Sequence, residues 1–237
     1  MEFTNSPLVS YKLLSPHNSG TRVYPISRIT PHHVVGLMSV EALGKEFNGT
    51  RQASSNYGIG PDGRIGLYVP ESNRSWCSGS WDNDQKAVCI ECADSPTYPY
   101  VFPDIVYERL IELCVDICRR NGKDKLLWLG DKEKTLAYQP AENEMVLTMH
   151  KWLAATACPG KWMEDHMGDL AQKVTAELQK KEKDNTPASW AKSSVNWAVN
   201  NGIIAGDANG DLMLKSYPTR EQLCVILKRL YDLVRPN

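Results

Sequence analysis

The segment LTMHKWLAATACPG, residues 147–160, places His150 and Cys158 eight positions apart and ends in the turn signal Pro159-Gly160. Imidazole nitrogen and thiolate sulfur are preferred zinc ligands, and a catalytic zinc keeps three protein ligands and one open position. The segment therefore offers two of the three ligands that such a site needs. The third has to come from another part of the chain.

The third ligand is expected at the end of an early strand. Residues 26–33, ISRITPHH, are predicted to form a strand that ends in His32 and His33, and the residues alone leave open which of the two faces an ion. Two histidines and a cysteine with a weak axial methionine also form blue-copper sites, and Met149 and Met163 are close in sequence. Spacing alone therefore leaves zinc, copper and a metal-free role in the core open.

Strands and helices alternate along most of the chain, which predicts an α/β fold with a central mixed β-sheet flanked by helices. The stretch NYGIGPDGRIGLYVP predicts a hairpin, because Pro61-Asp62-Gly63 is turn chemistry between two alternating runs. The other predicted strands are 86–94 and 125–130, and the predicted helices are 39–47, 103–121 and about 161–182.

The composition changes near residue 178, which predicts two domains. Residues 1–178 form the first, the polar residues 179–187 are expected to be a linker, and residues 188–237 form a small C-terminal helical domain. Two helices in fifty residues bury little surface. We therefore expect this unit to dock on the first domain or on a second copy of the chain, and a homodimer is the preferred alternative.

Composition excludes several classes of partner. The net charge of −1 without a basic stripe gives no support for nucleic-acid binding, and no apolar run approaches the roughly 18 residues of a membrane span. The amino-terminal residues lack the basic start and apolar run of a secretory signal. The seven cysteines, an odd number, predict free thiols made in a reducing cytoplasm.

Four blocks of sequence together point to one family. In order they are ITPHHVVGLMSVEALGKEF, RQASSNYGIGPDGRIGLYVPESNRSWCSGS, DNDQKAVCIECAD and LTMHKWLAATACPG. Over roughly residues 20–175 the chain resembles the type-2 N-acetylmuramoyl-L-alanine amidases, most closely endolysins of phages that infect Gram-positive bacteria. The resemblance implies the zinc amidase fold and zinc-dependent cleavage of the amide between N-acetylmuramic acid and L-alanine in bacterial peptidoglycan.

The resemblance also implies the metal ligands, which are His32, His150 and Cys158 with zinc as the cofactor. Pro31 departs from the family, which usually has Ile or Val at this position. Because proline has no N–H to donate, the strand has to be unpaired on that side at Pro31.

The same resemblance assigns catalytic and substrate-binding residues. Glu91, a carboxylate in the apolar stretch AVCIECAD, matches the general base, and Thr156 matches the residue that steadies the oxyanion. Substrate contacts are implied for His33, Asn56 and Tyr57. Without the resemblance, a strand-edge Glu91 facing solvent is the simpler interpretation.

The C-terminal unit resembles one S-layer homology motif, a type of module that binds secondary polymers of Gram-positive walls. The family usually carries three copies, and its TRAE is TREQ here, with Gln222 at the end. The resemblance makes Trp197 and Arg220 the expected wall contacts. The residues themselves favour an ordinary core role for Trp190 and Trp197.

Two rival interpretations come with the resemblance. One is a non-catalytic peptidoglycan-binding receptor on the same fold, although such binders commonly lack a metal ligand that this chain keeps. The other is a host autolysin, whose export normally needs a signal peptide. We therefore expect an enzyme that is made in the cytoplasm of the bacterial host and acts on the wall after release.

Overall fold

The computed structural model describes residues 3–180, 184–208 and 210–235. The chain divides into two compact units, Met1–Gln179 and Lys180–Asn237. The strands are β1 Tyr11–Lys12, β2 Asn18–Thr21, β3 Arg28–His33, β4 Tyr57–Ile59, β5 Ile65–Leu67, β6 Asn73–Ser75, β7 Ala87–Cys92, β8 Lys125–Leu127 and β9 Glu144–Leu147. The helices are α1 Val40–Asn48, α2 Trp81–Lys86, α3 Asp104–Arg120, α4 Lys132–Ala137, α5 Lys161–Gln179, α6 Lys192–Asn200 and α7 Arg220–Val234, and a 3₁₀ helix covers His150–Trp152.

Seven strands form the central sheet of the first unit, in the order β1-β5-β4-β7-β3-β9-β8. Strand β4 pairs antiparallel with β5, and the other neighbours pair in parallel. Strands β2 and β6 form a separate antiparallel pair. The predicted fold class, a central mixed sheet flanked by helices, is therefore confirmed.

The main core lies between this sheet and helices α3 and α5. Helix α3 buries Val106, Leu110, Leu113, Cys114 and Ile117 at the spacing of one helical face. Helix α5 contributes a second buried stripe to the same apolar cluster. Pro103 precedes α3, where its missing N–H leaves no helical hydrogen bond unmade.

Strand β3 lies between β7 and β9 in the sheet, and Pro31 lies within it. Its ladder with β7 runs from Arg28 to His33, but its ladder with β9 covers only Arg28 and Ile29. The N–H of Thr148 donates to the carbonyl of Ile29, so Ile29, and with it Pro31 two residues later, faces β9. The missing N–H of Pro31 thus falls beyond the end of β9, as the sequence requires.

Several elements are shorter than the sequence predicts. Strand β7 covers residues 87–92 of the predicted 86–94, β8 covers 125–127 of 125–130, and α5 ends at 179 rather than near 182. Residues 181–183 of the predicted linker lie outside the described residues. Asp184 and Asn185 hydrogen-bond to the segment 210–215, so these two residues belong to the second unit rather than to a free linker.

The second unit contains α6 and α7 and has a very small core. Among its described apolar residues only Ala198 and Ile203 are buried. Trp190 is 89% exposed and Trp197 is 52% exposed, so the core role predicted for them is wrong. None of the helices in the described parts of the chain has the length and apolarity that a membrane crossing needs.

Candidate active site

The parallel strands bring the predicted site residues to one edge of the sheet. His32 is near the end of β3, and its register partner on β7 is Glu91. Strand β9 ends at Leu147, and the 3₁₀ helix that begins with His150 follows after two residues. Because neighbouring parallel strands lie about 4.8 Å apart, these side chains start from adjacent backbone positions.

His32, His150 and Cys158 converge at this edge, with their ligand atoms all within 4.8 Å of one another. Nδ1 of His32 lies 3.3 Å from Sγ of Cys158, and the two imidazole rings have centroids 4.9 Å apart. Tetrahedral zinc with ordinary bond lengths holds nitrogen and sulfur ligands about 3.5 Å apart. The donor set and its spacing therefore fit a zinc ion.

Buried hydrogen bonds hold the two ligand-bearing segments together. Thr30, two residues before His32, is 2.7 Å from the hydroxyl of Thr148, two residues before His150. The Asn83 side chain, at the start of α2, donates to Thr30 and accepts from Thr148. This triangle of polar side chains fixes the spacing from which both histidines project.

The position of Cys158 beside the segment of His150 depends on the turn that follows Cys158. The N–H of Lys151 donates to the carbonyl of Cys158 at 2.9 Å, which closes the segment on itself. Gly160 has a φ of +84°, and a Cβ there would lie 3.1 Å from Nδ1 of His33. Only glycine fits both conditions without strain, so the chain can turn into α5 here.

Burial keeps the candidate ligands neutral without a metal. It lowers the pKa of His32 well below the usual range, and His150 and His33 lower it further. Burial likewise lowers the pKa of His150 and raises the pKa of the Cys158 thiol. Neutral imidazoles are ready to bind a cation, and a bound cation stabilises the thiolate that burial otherwise disfavours.

His32, and not His33, belongs to the group of side chains that could hold a metal ion. The ring of His33 turns to Asp94, with Nδ1 2.8 Å from Oδ2, and packs edge-on against Tyr100. Its side chain is only 5% exposed. Only this small exposed part of the His33 side chain can make the substrate contact that the resemblance implies.

Glu91 shares the face of His32, its register partner, and is half-buried. Burial raises the pKa of Glu91 to about 8, Arg51 opposes this rise, and Asp94 adds to it. A carboxyl group with a pKa near neutrality can both take up and release a proton at physiological pH. The location of Glu91 suits a general base, in contrast to the simpler interpretation of an ordinary exposed strand residue.

Thr156 lies in the exposed loop before Cys158. Its Oγ1 accepts a hydrogen bond from the backbone N–H of Cys158 at 3.2 Å. The hydroxyl hydrogen is thus left to donate elsewhere, as an oxyanion contact requires.

Asn56 and Tyr57, which the resemblance implies as substrate contacts, are fully buried. The Asn56 side chain bonds to Arg22, Ser75 and the backbone N–H of Cys89. The Tyr57 hydroxyl donates to Glu71 at 2.6 Å. Their polar atoms are used inside the protein, so both residues are corrected to parts of the scaffold.

Sequence reasoning missed two residues of this region. Asp94 follows β7 directly and pairs with His33, and its place after a buried strand was the available signal. Cys77 lies 3.2 Å from Nε2 of His32, and no pattern in the loop SWCSGS indicates this contact. Met149 and Met163, considered as axial copper ligands, both belong to the main apolar core.

We predict that Tyr57→Phe lowers the free energy of unfolding by about 2 kcal/mol, because it removes a buried hydrogen bond to a carboxylate. The affinity for substrate should not change. Urea denaturation and steady-state kinetics measure the two effects. As a control, Tyr138→Phe removes a similar bond to Glu144 at a more accessible place, where water can replace it, and should destabilise less. An increased KM with unchanged stability in Tyr57→Phe would restore the substrate-binding role.

A comparison with protein families identifies one family for most of the first unit. A profile of the family described as N-acetylmuramoyl-L-alanine amidase matches residues 22–161. No curated protein matches the chain by sequence.

Three similar solved structures are at low identity. PlyL is 18% identical with a TM-score of 0.47, over 69% of this chain and 95% of that one. The PlyG catalytic domain is 17% identical with a TM-score of 0.47, over 75% and 98% of the two chains. The endolysin N-acetylmuramoyl-L-alanine amidase LysCS from Clostridium intestinale URNW is 17% identical with a TM-score of 0.42, over 72% and 95%.

The family assignment rests on the profile, which spans more than half of the chain. The matched residues include β3, β7 and the whole loop from His150 to Cys158. The chain therefore belongs to the N-acetylmuramoyl-L-alanine amidase family.

Proposed function

We propose that the chain cleaves the amide between N-acetylmuramic acid and L-alanine in peptidoglycan, with one zinc ion held by His32, His150 and Cys158. The observation that carries the proposal is the convergence of these three ligand atoms within 4.8 Å. It occurs within the residues that match the amidase family. Three protein ligands leave one position of a tetrahedral ion for substrate chemistry.

Held by these three residues, a zinc ion would supply Lewis acidity that activates the scissile carbonyl and a water molecule. Glu91 takes a proton from that water and delivers it to the nitrogen of the departing L-alanine. Thr156 donates its hydroxyl hydrogen to the carbonyl oxygen as negative charge develops there. His32 and His150 remain neutral ligands, because burial keeps their pKa values low.

The rival function is a peptidoglycan receptor without catalysis. A receptor needs neither a complete ligand set nor a carboxyl group beside it. This chain has both, with Glu91 one strand away from His32. The amidase is therefore the better-supported function, and its resemblance to endolysins makes the wall of a bacterial host the proposed place of action.

We assign wall attachment to the second unit, as its resemblance to an S-layer homology motif suggests. Trp197 is half-exposed and lines a cavity of about 600 Å³ together with Ser193, Ser194 and Ile204. An aromatic face beside hydroxyl groups suits a sugar of a secondary wall polymer. Arg220 is exposed in the first turn of α7, where its positive charge attracts an anionic polymer.

We further propose that α7 pairs with α7 of a second copy. Its Leu223, Leu227, Leu230 and Val234 are exposed and recur at steps of four, three and four residues. This is the spacing of a two-helix coiled-coil seam. Two buried apolar residues are a small core for an independent unit, so pairing supplies burial that the unit lacks.

The amidase proposal predicts that Glu91→Gln lowers turnover by about 10²–10⁴-fold while zinc content and folding are kept. Digested peptidoglycan should acquire new L-alanine amino termini, which amino-terminal labelling and mass spectrometry detect. The matched control is Glu41→Gln, an exposed carboxylate paired with Arg64, which should keep full activity. New termini at another residue, or normal turnover by Glu91→Gln, would refute the assigned bond or the assigned base.

The pairing proposal predicts a particle of about twice 26.6 kDa in sedimentation analysis. The double variant Leu227→Glu with Leu230→Glu should be a monomer, because carboxylates on the seam repel one another. Cys224→Ser serves as the control, since Cys224 is an exposed free cysteine. This variant should remain a dimer. A wild-type chain that stays monomeric at high concentration would show that the stripe on α7 has another role.

A further inference from the structure

We propose that Cys77 is a positioning residue of the zinc site, whose sulfur accepts the Nε2–H of His32 and thereby leaves Nδ1 of that ring free to bind the ion. The inference rests on the proposed function and deepens it. Its starting observation is the 3.2 Å contact between Sγ of Cys77 and Nε2 of His32.

Both ring nitrogens of His32 have a sulfur neighbour. Nδ1 lies 3.3 Å from Cys158, and Nε2 lies 3.2 Å from Cys77. His32 is 1% exposed, so bulk water does not compete for either of its ring nitrogens. The two sulfur atoms therefore decide where the single proton of the neutral ring resides.

The metal site needs that proton on Nε2. A ligand nitrogen must offer its lone pair, so Nδ1 has to be bare when the ion binds beside Cys158 and His150. The hydrogen on Nε2 then needs an acceptor, because an unsatisfied buried N–H is costly. Metal-bound histidines usually donate this hydrogen to a carboxylate or a carbonyl, and here the available acceptor is Cys77.

A second thiol lies beside Cys77. The ligand atoms of His32, Cys77 and Cys89 all lie within 4.8 Å of one another. The thiol of Cys89 in turn donates to Oδ1 of Asp84 at 3.9 Å. The chain of contacts thus ends at a carboxylate.

Asp84 accepts further hydrogen bonds from the backbone N–H groups of Cys77 and Ser78 and from the Ser78 hydroxyl. A carboxylate that receives this many donors at its two oxygens behaves as an acceptor only. Cys89 therefore donates its hydrogen to Asp84, and the sulfur of Cys77 keeps lone pairs that accept the Nε2–H of His32. This is the tautomer that leaves Nδ1 bare for zinc.

The same three groups, His32, Cys77 and Cys89, have the donor types of a second soft-metal site. That arrangement would take the Nε2 lone pair and displace its proton. It would also replace the bond from Cys89 to Asp84. The established hydrogen bonds favour the positioning role, and the metal stoichiometry separates the two.

The test measures zinc affinity of the full chain by competition with a chelator of known affinity. Cys77→Ala should weaken zinc binding by about 10–100-fold, and Cys77→Ser, which keeps an acceptor, should recover part of the loss. Cys118→Ala, a buried cysteine on α3, is the matched control and should bind zinc normally. In the metal-free wild type, ¹⁵N NMR should find the His32 proton on Nε2.

Two results would overturn the inference. One is zinc affinity within about twofold of wild type in folded Cys77→Ala, a change below the range for such partners. The other is a second bound metal equivalent that only Cys77→Ala and Cys89→Ala remove. Cys158→Ser identifies which proposal fails: if it also keeps zinc, the zinc site itself is wrong, and if it alone loses zinc, only the role of Cys77 is wrong.

Discussion

The site depends on the pairing of β3 between β7 and β9, with all three strands running in the same direction. The carboxyl ends of parallel strands lie at the same edge of the sheet. The chain uses this edge for His32, for Glu91 and for the loop that begins at His150. A one-residue slip of β3 would turn His32 to the other face and bring His33 into its place.

Two buried polar groups secure this register. Asn83 joins Thr30 to Thr148 and so ties the two histidine-bearing segments together. Asp84, the next residue on α2, receives donors from the loop that carries Cys77. The short helix α2 therefore supports both the strand that carries His32 and the loop that carries Cys77, which explains why charged and polar residues lie in an otherwise apolar region.

The hairpin, the strands β3 and β7 and the helices α3 and α5 could be predicted, because each leaves a local pattern in the sequence. The candidate ligand set came from the family resemblance, since the residues alone left the choice between His32 and His33 open. The burial of Asn56 and Tyr57 could not be predicted, since it depends on partners such as Glu71 that approach only in the folded chain. The exposure of Trp190 and Trp197 was also mispredicted. Tryptophan side chains are usually largely buried, but a unit with so few buried residues has only a small core in which to bury them. The contact of Cys77 with His32 joins residues 45 positions apart, beyond any local pattern.

The central claim is that the ion binds to His32, His150 and Cys158 rather than to the neighbouring set of His32, Cys77 and Cys89. X-ray absorption spectroscopy of the zinc-loaded chain separates them directly, because the first set contains one sulfur and the second contains two. The account predicts one sulfur at about 2.3 Å and two imidazole nitrogens at about 2.0–2.1 Å. Two sulfur atoms and a single imidazole around the zinc would contradict it.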